Sequence, residues 1–256
     1  MAAILSSQRY ISKELTHFVG RSLIEEDQYQ LLVKILTTGW LTHFPHDPKQ
    51  GSGAMMFKSW ESLCDNGMFL PQVICFCDIP INDLKIHMNK YSKIGISFLK
   101  SFLVKNGANP VFYIAKNSIV KSPSLFDKNE YNEIKVEITR CNYFDIMSKE
   151  MHNIFIKLIN SMIPQRKITE PSGDLIESFD VWTMFLNYHI FSFVKFFDDS
   201  ATDEDHDNFY MEREWRIIGN LMFNLEDTYR VILPMGYINR FRKDVPEYIG
   251  QITYSD

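Results

Sequence analysis

Apolar positions along the chain change spacing several times, and each change marks an element. KELTHFVG predicts a short strand running into a loop. EEDQYQLLVKILTTGW then places Tyr29, Leu32, Val33 and Leu36 on one helical stripe, with acidic residues in the first turn and Gly39 at the end. From Thr42 to Gly53 the string has prolines, glycines and polar residues without periodicity, as expected of a loop that covers a site. PQVICFCDIP is a continuous apolar run suited to a buried strand, and DIPINDLKIHMNKY starts a helix after Pro80. IGISF and NPVFYIA read as two further strands, separated by the helical piece LKSFLVKNG with its stop at Asn106 and Gly107.

Beyond Tyr131 the pattern turns helical. Two helices are expected between Tyr131 and Met162, then a polar break, PQRKITEPSGD, and an apolar helix over SFDVWTMFLNYHIFSFVKFF. Strand signals return in EREWRIIG, YRVILP and YIGQITY, after the acidic string DDSATDEDHDN. The expectation is therefore an α+β chain forming one domain over 1–256, with a helical insert at about 131–197. No repeat, Gly/Ser linker or low-complexity tail divides it.

Composition adds limits. Hydrophobic residues at 45% and charged residues at 23% are ordinary for a packed globular chain. A net charge of −5 argues against binding nucleic acid through a chain-wide basic excess, but not against a local basic groove. Cys64, Cys75, Cys77 and Cys141 lack the paired spacings of a zinc site and read as reduced thiols. The N-terminus lacks a signal-peptide core and no run approaches a membrane span, so the expected location is the cytoplasm.

The chemistry concentrates in NFYMEREWRIIG. On a strand, Glu212, Glu214 and Arg216 share one face, and Arg213, Trp215 and Ile217 the other. Two carboxylates beside a guanidinium form either a cross-linked solvated face or a site where unequal pKa values divide two roles. Asp203, Asp205, Asp207 and Glu214 match positions 1, 3, 5 and 12 of a calcium loop, but Asn208 stands where that loop needs glycine, so no metal is expected. His17 lies between apolar residues, where histidine is commonly structural. His43 and His46 sit in the loop, and no phosphate-cradling glycine motif or nucleophile elbow is present.

Taken in order, T-H on the first strand, LxxILxxGWL, VICFCDIPI, GISF, NPVFYIA and YMEREWRIIG resemble the AbiGi-type abortive phage resistance family over residues 11 to 219. A more distant resemblance is to DarT-like ADP-ribosyltransferase toxins. That second likeness implies a split β-sheet core binding NAD+ as substrate, with His17 at the first-strand NAD position, Glu214 as catalytic acid and Glu212 as its substrate-side partner. The middle strand lacks the toxins' serine-threonine-serine or tyrosine, so Phe76, Tyr113 and Tyr91 all stand as candidates for stacking on nicotinamide. Arg21 joins the cofactor-binding set, and Tyr210, Arg213 and Trp215 would meet a nucleic acid acceptor, RNA rather than DNA.

The implied reaction is transfer of ADP-ribose from NAD+ to nucleic acid, blocking phage propagation and held in check by an antitoxin or regulatory partner. The rival expectation is a non-catalytic antitoxin or sensor that binds a partner protein. Geometry separates them: the enzyme needs His17 and Glu214 in one cleft, whereas the binder does not.

Overall fold

The computed structural model describes residues 12–43, 55–58, 60–61, 65–116, 153, 184–202, 205 and 208–255. They divide into two compact units, one drawing on 12–43, 72–111 and 205–255, the other on 55–71 and 112–202. The class is α+β.

In the first unit the strands are β1 (Glu14–Phe18), β5 (Val73–Cys77), β6 (Gly95–Leu99), β7 (Asn109–Pro110), β10 (Glu214–Ile218), β12 (Thr228–Leu233) and β13 (Gln251–Tyr254). They form one continuous sheet in the order β13-β12-β6-β1-β5-β10-β7, antiparallel except where β13 runs parallel to β12. A separate two-stranded pair joins β2 (Trp40–Leu41) and β11 (Leu221–Met222).

Strand alternation gives the sheet two unlike faces. Leu15, Ile74, Phe76, Ile96, Phe98, Ile217, Val231 and Leu233 belong to the main core. Helix α1 (Glu25–Thr38) contributes Tyr29, Leu32, Ile35 and Leu36 to it, with Val33 only partly buried. Helix α3 (Lys100–Lys105) adds Leu103, and the crossover helix α4 (Ile238–Asp244) adds Phe241. A smaller cluster holds Cys77, Ile79, Leu84 and Ile232, with Phe18 and Met88 packed against it. Met88 lies on helix α2 (Lys85–Lys90).

The second unit contains two small pairs. β3 (Met55–Phe57) is antiparallel to β4 (Phe69–Pro71), and β8 (Phe112–Ala115) is parallel to β9 (Val194–Phe197). Met68, Phe69, Ile114 and Phe196 form its core.

Several expectations need correction. NPVFYIA is not one strand: it divides at Val111 into β7 and β8, which belong to different sheets and different units. VKFF is strand β9 rather than the end of a helix, because its residues find ladder partners in β8. Only Met184, Phe185–Ile190 and Phe191–Phe193 of that expected helix are helical among the described residues. EREWRIIG begins its strand at Glu214, since Phe209–Glu212 is a short 3-10 turn and Arg213 takes a left-handed φ of 45°. The 44–53 part of the loop, most of the 131–197 insert, Cys64, Cys141, Asp203 and Asp207 lie outside the described residues.

Gly39 ends α1 as the sequence predicts. Its φ is 68° and its amide returns to the Ile35 carbonyl. A Cβ there would stand 2.6 Å from the Phe223 carbonyl oxygen, which accounts for glycine. Gly39→Ala should lower stability by at least ~1–2 kcal/mol, read from the urea midpoint; an unchanged midpoint would show that the β2/β11 join tolerates the displacement.

Candidate functional site

The polar face of the large sheet is laid out by register. Arg230 pairs with Ser97, Ser97 with Thr16, Thr16 with Cys77 and Cys77 with Glu214, so these five residues form one row across β12, β6, β1, β5 and β10. Directly paired residues share a face, and their strand neighbours take the other. Glu14 and Arg216, two positions along β1 and β10, lie on the face of the row.

Buried carboxylates on and beside the sheet have cationic partners. Glu14 accepts from Arg230 Nε at 3.0 Å and from the Ser97 hydroxyl, while Arg230 Nη1 donates to Thr253 Oγ1 at 2.6 Å. Glu214 accepts from Arg216 Nε at 2.6 Å. Glu212 receives Lys90 Nζ at 2.7 Å and the Tyr91 hydroxyl on the same oxygen, Oε1. At the end of β5, Asp78 binds Lys100 Nζ at 2.8 Å and Arg213 Nη2 at 3.4 Å, and accepts from the Ser12 amide. Burial makes such pairing obligatory, because a lone charge would forfeit its hydration.

Around Glu212 the side chains are tightly interlocked. Tyr91 stacks on Phe18 with ring centres 6.0 Å apart, the Arg21 guanidinium lies 5.0 Å above Tyr91, and Lys90 Nζ stands 4.6 Å over the Phe209 ring. Burial, then the Glu212 charge, pushes the Tyr91 hydroxyl far above its ordinary range and holds it as a donor. The same two causes, in the same order, push the Cys77 thiol up and remove it as a thiolate nucleophile. His87 is buried with Nδ1 unpartnered; desolvation lowers its pKa, opposed by Glu212 and reinforced by Lys90.

The sequence candidates fall in several places. Glu212 and Glu214 are both buried, but only Glu214 is on the strand. His17 belongs to the opposite face: it pairs with Ile96, beside the Thr16 position that shares Glu214's row. Its Nδ1 donates to the Cys75 carbonyl at 2.8 Å, because a carbonyl only accepts, and its ring meets Phe76 edge-on at 5.9 Å. Register thus separates His17 from Glu214 by the sheet itself. Phe76 is a core side chain packed edge-on against Phe98. Trp215 lies under Lys100 at 5.3 Å, Tyr210 is exposed, and Tyr113 belongs to the other unit, edge-on to Phe197. Among the described residues no three His, Cys, Asp or Glu side chains gather to hold a metal ion.

Sequence reasoning missed Glu14, Asp78, Lys90 and Arg230. Their signal was present as charge embedded in apolar strand and helix strings, such as Arg230 in TYRVIL.

A protein-family model described as "Putative abortive phage resistance protein AbiGi, antitoxin" matches residues 68–233. The chain belongs to the AbiGi family. No curated protein and no solved structure matches it. The AbiGi match runs from β4 to β12 and takes in Asp78, Lys90, Glu212, Glu214 and Arg230. It overturns the expected toxin that transfers ADP-ribose to nucleic acid, since the family is described as an antitoxin. The abortive-infection assignment stands. Among the described residues no helix is long and apolar enough to cross a membrane.

Two measurements test the electrostatics of this AbiGi face. Glu212→Leu leaves Lys90 buried beside a lost counter-charge and should cost ~3–5 kcal/mol, with much of it recovered in the double variant Glu212→Leu/Lys90→Met. Urea melts of the three proteins check this, and equal losses in the single and double variants would refute the coupling. For His87, a folded-state pKa below the ordinary 6.5 of an exposed histidine means that the unfolded chain takes up the proton first as pH falls. Stability is therefore complete above about pH 6.5 and declines as pH falls from there toward the lower folded pKa. His87→Asn should flatten that part of the curve; identical slopes for variant and wild type would contradict it.

Proposed function

We propose that this chain is a non-catalytic antitoxin of an abortive-infection pair, acting by binding a toxin protein. The carrying observation is the AbiGi family match, whose description is that of an antitoxin. The geometry supports the same reading. Glu212 and Glu214, which a transferase would turn toward a reacting sugar, are engaged by Lys90, Tyr91 and Arg216, and His17 stands across the sheet from Glu214.

On this reading the paired charges act as a frame. They hold the strands in register and specify which face is polar, a role that buried ion pairs fill more readily than adding net stability. Binding falls to the outside of the molecule. Exposed apolar side chains of the first unit include Ile24, Met222, Met235, Ile249 and Tyr254; those of the second include Trp60 and Phe112. Apolar and aromatic anchors of this kind contribute much of the energy of protein association.

The test is toxin neutralisation. Each product of a gene adjoining the one for this chain is expressed alone and then together with it. One of them should arrest growth, and the chain should relieve the arrest through a complex that copurifies. Glu214→Gln, in protein that remains folded by circular dichroism, should still neutralise. Loss of neutralisation in that folded variant, or arrest caused by this chain when expressed alone, would sink the reading.

A further inference from the structure

The two edges of the seven-stranded sheet are treated differently. At one end β7 has two residues and contains Pro110, which has no N–H to offer another strand. At the other end lies β13, Gln-Ile-Thr-Tyr, with no proline, lysine or bulge, and no strand among the described residues on its outer side. An unguarded edge of this kind is a template for strand addition, which soluble proteins commonly blunt.

Ladder geometry identifies the groups on offer. The Ser255 amide donates inward to the Leu233 carbonyl, and along a parallel ladder successive residues alternate sides. Gln251 and Thr253 therefore turn their main-chain groups toward β12, and Ile252 and Tyr254 turn theirs outward. The side chains of Ile252 and Tyr254 point to the face of Val231 and Leu233, their ladder partners, which belong to the main core. Gln251 and Thr253 occupy the polar face.

Exposed apolar residues extend this strip at both ends. Ile249, two residues before β13, is 88% exposed; Tyr254 is 55% exposed; Met235, just beyond the Leu233 position opposite Tyr254, is 60% exposed. We propose that β13 is the docking edge for the toxin, which adds an extended segment alternating apolar and polar side chains alongside Ile252 and Tyr254. This rests on the antitoxin reading. A second copy of this chain is a poorer occupant: its own four-residue β13 spans only about 13 Å at roughly 3.3 Å per residue. Such a strip falls short of the ~800 Å² per partner of a stable interface. A longer partner segment also covers Ile249 and Met235.

The experiment uses the full chain and the adjoining-gene product that it neutralises. Amide hydrogen exchange should slow at Ile252 and Tyr254 when the complex forms. Tyr254→Pro removes an outward N–H that β12 does not use, and Tyr254→Lys places a charge on the edge; each should weaken binding at least about tenfold. Val104→Lys, at an exposed position of α3, should leave affinity unchanged. Toxin binding with wild-type affinity in both Tyr254 variants and unaltered exchange at Ile252 and Tyr254 overturns this docking edge and leaves the antitoxin reading intact. Failure to neutralise any adjoining-gene product overturns both.

Discussion

Electrical neutrality on the polar side of the large sheet is the condition that the first unit has to satisfy. Glu14, Glu212 and Glu214 are removed from water, and each is met by a cation from a different part of the chain or from two positions along its strand. Withdrawing one partner would strand a charge in a medium that cannot hydrate it. The pairs thus tie sequence-distant elements together: β1 to β12 through Glu14 and Arg230, and α2 to the turn before β10 through Lys90 and Glu212. Such pairs specify arrangement, while the energy of folding comes from the apolar face behind them.

That apolar face is built on different physics. Fully buried Leu15, Ile96, Phe98 and Val231 line the opposite side of the same strands, and α1 lays Tyr29, Leu32, Ile35 and Leu36 over them. One residue's shift in register would exchange the two faces, placing carboxylates in the core and leucines among the ion pairs. The alternation in β1, Glu14-Leu15-Thr16, enforces the register at the sheet's centre. The same constraint governs function. By fixing Glu214 and His17 on opposite sides, it denies them a shared cleft, and on the proposed antitoxin reading recognition is left to the periphery.

Much of the fold was legible locally. The stripe of α1, the glycine that stops it, the apolar run of β5, and the strands at GISF, YRVILP and the end of YIGQITY needed only period and capping chemistry, because neighbours along the chain decide them. NPVFYIA and VKFF misled because strand and helix compete for short apolar runs. Their outcome depends on which distant strand offers a ladder: β10 takes Asn109–Pro110, and β8 takes Val194–Phe197. At the site, EREWR announced buried charge but not its use.

The sequence by itself determined the α+β class, the family to which the chain belongs and the unusual density of charge before β10, since these follow from residue order and short-range periodicity. Tertiary structure alone decided that Glu212 stands on a turn rather than a strand, that Lys90 and Tyr91 hold it, and that β13 closes the sheet with two residues facing outward. The reason is physical: a buried carboxylate must find whichever cation the fold brings near, and a strand becomes an edge only when every other strand has been placed.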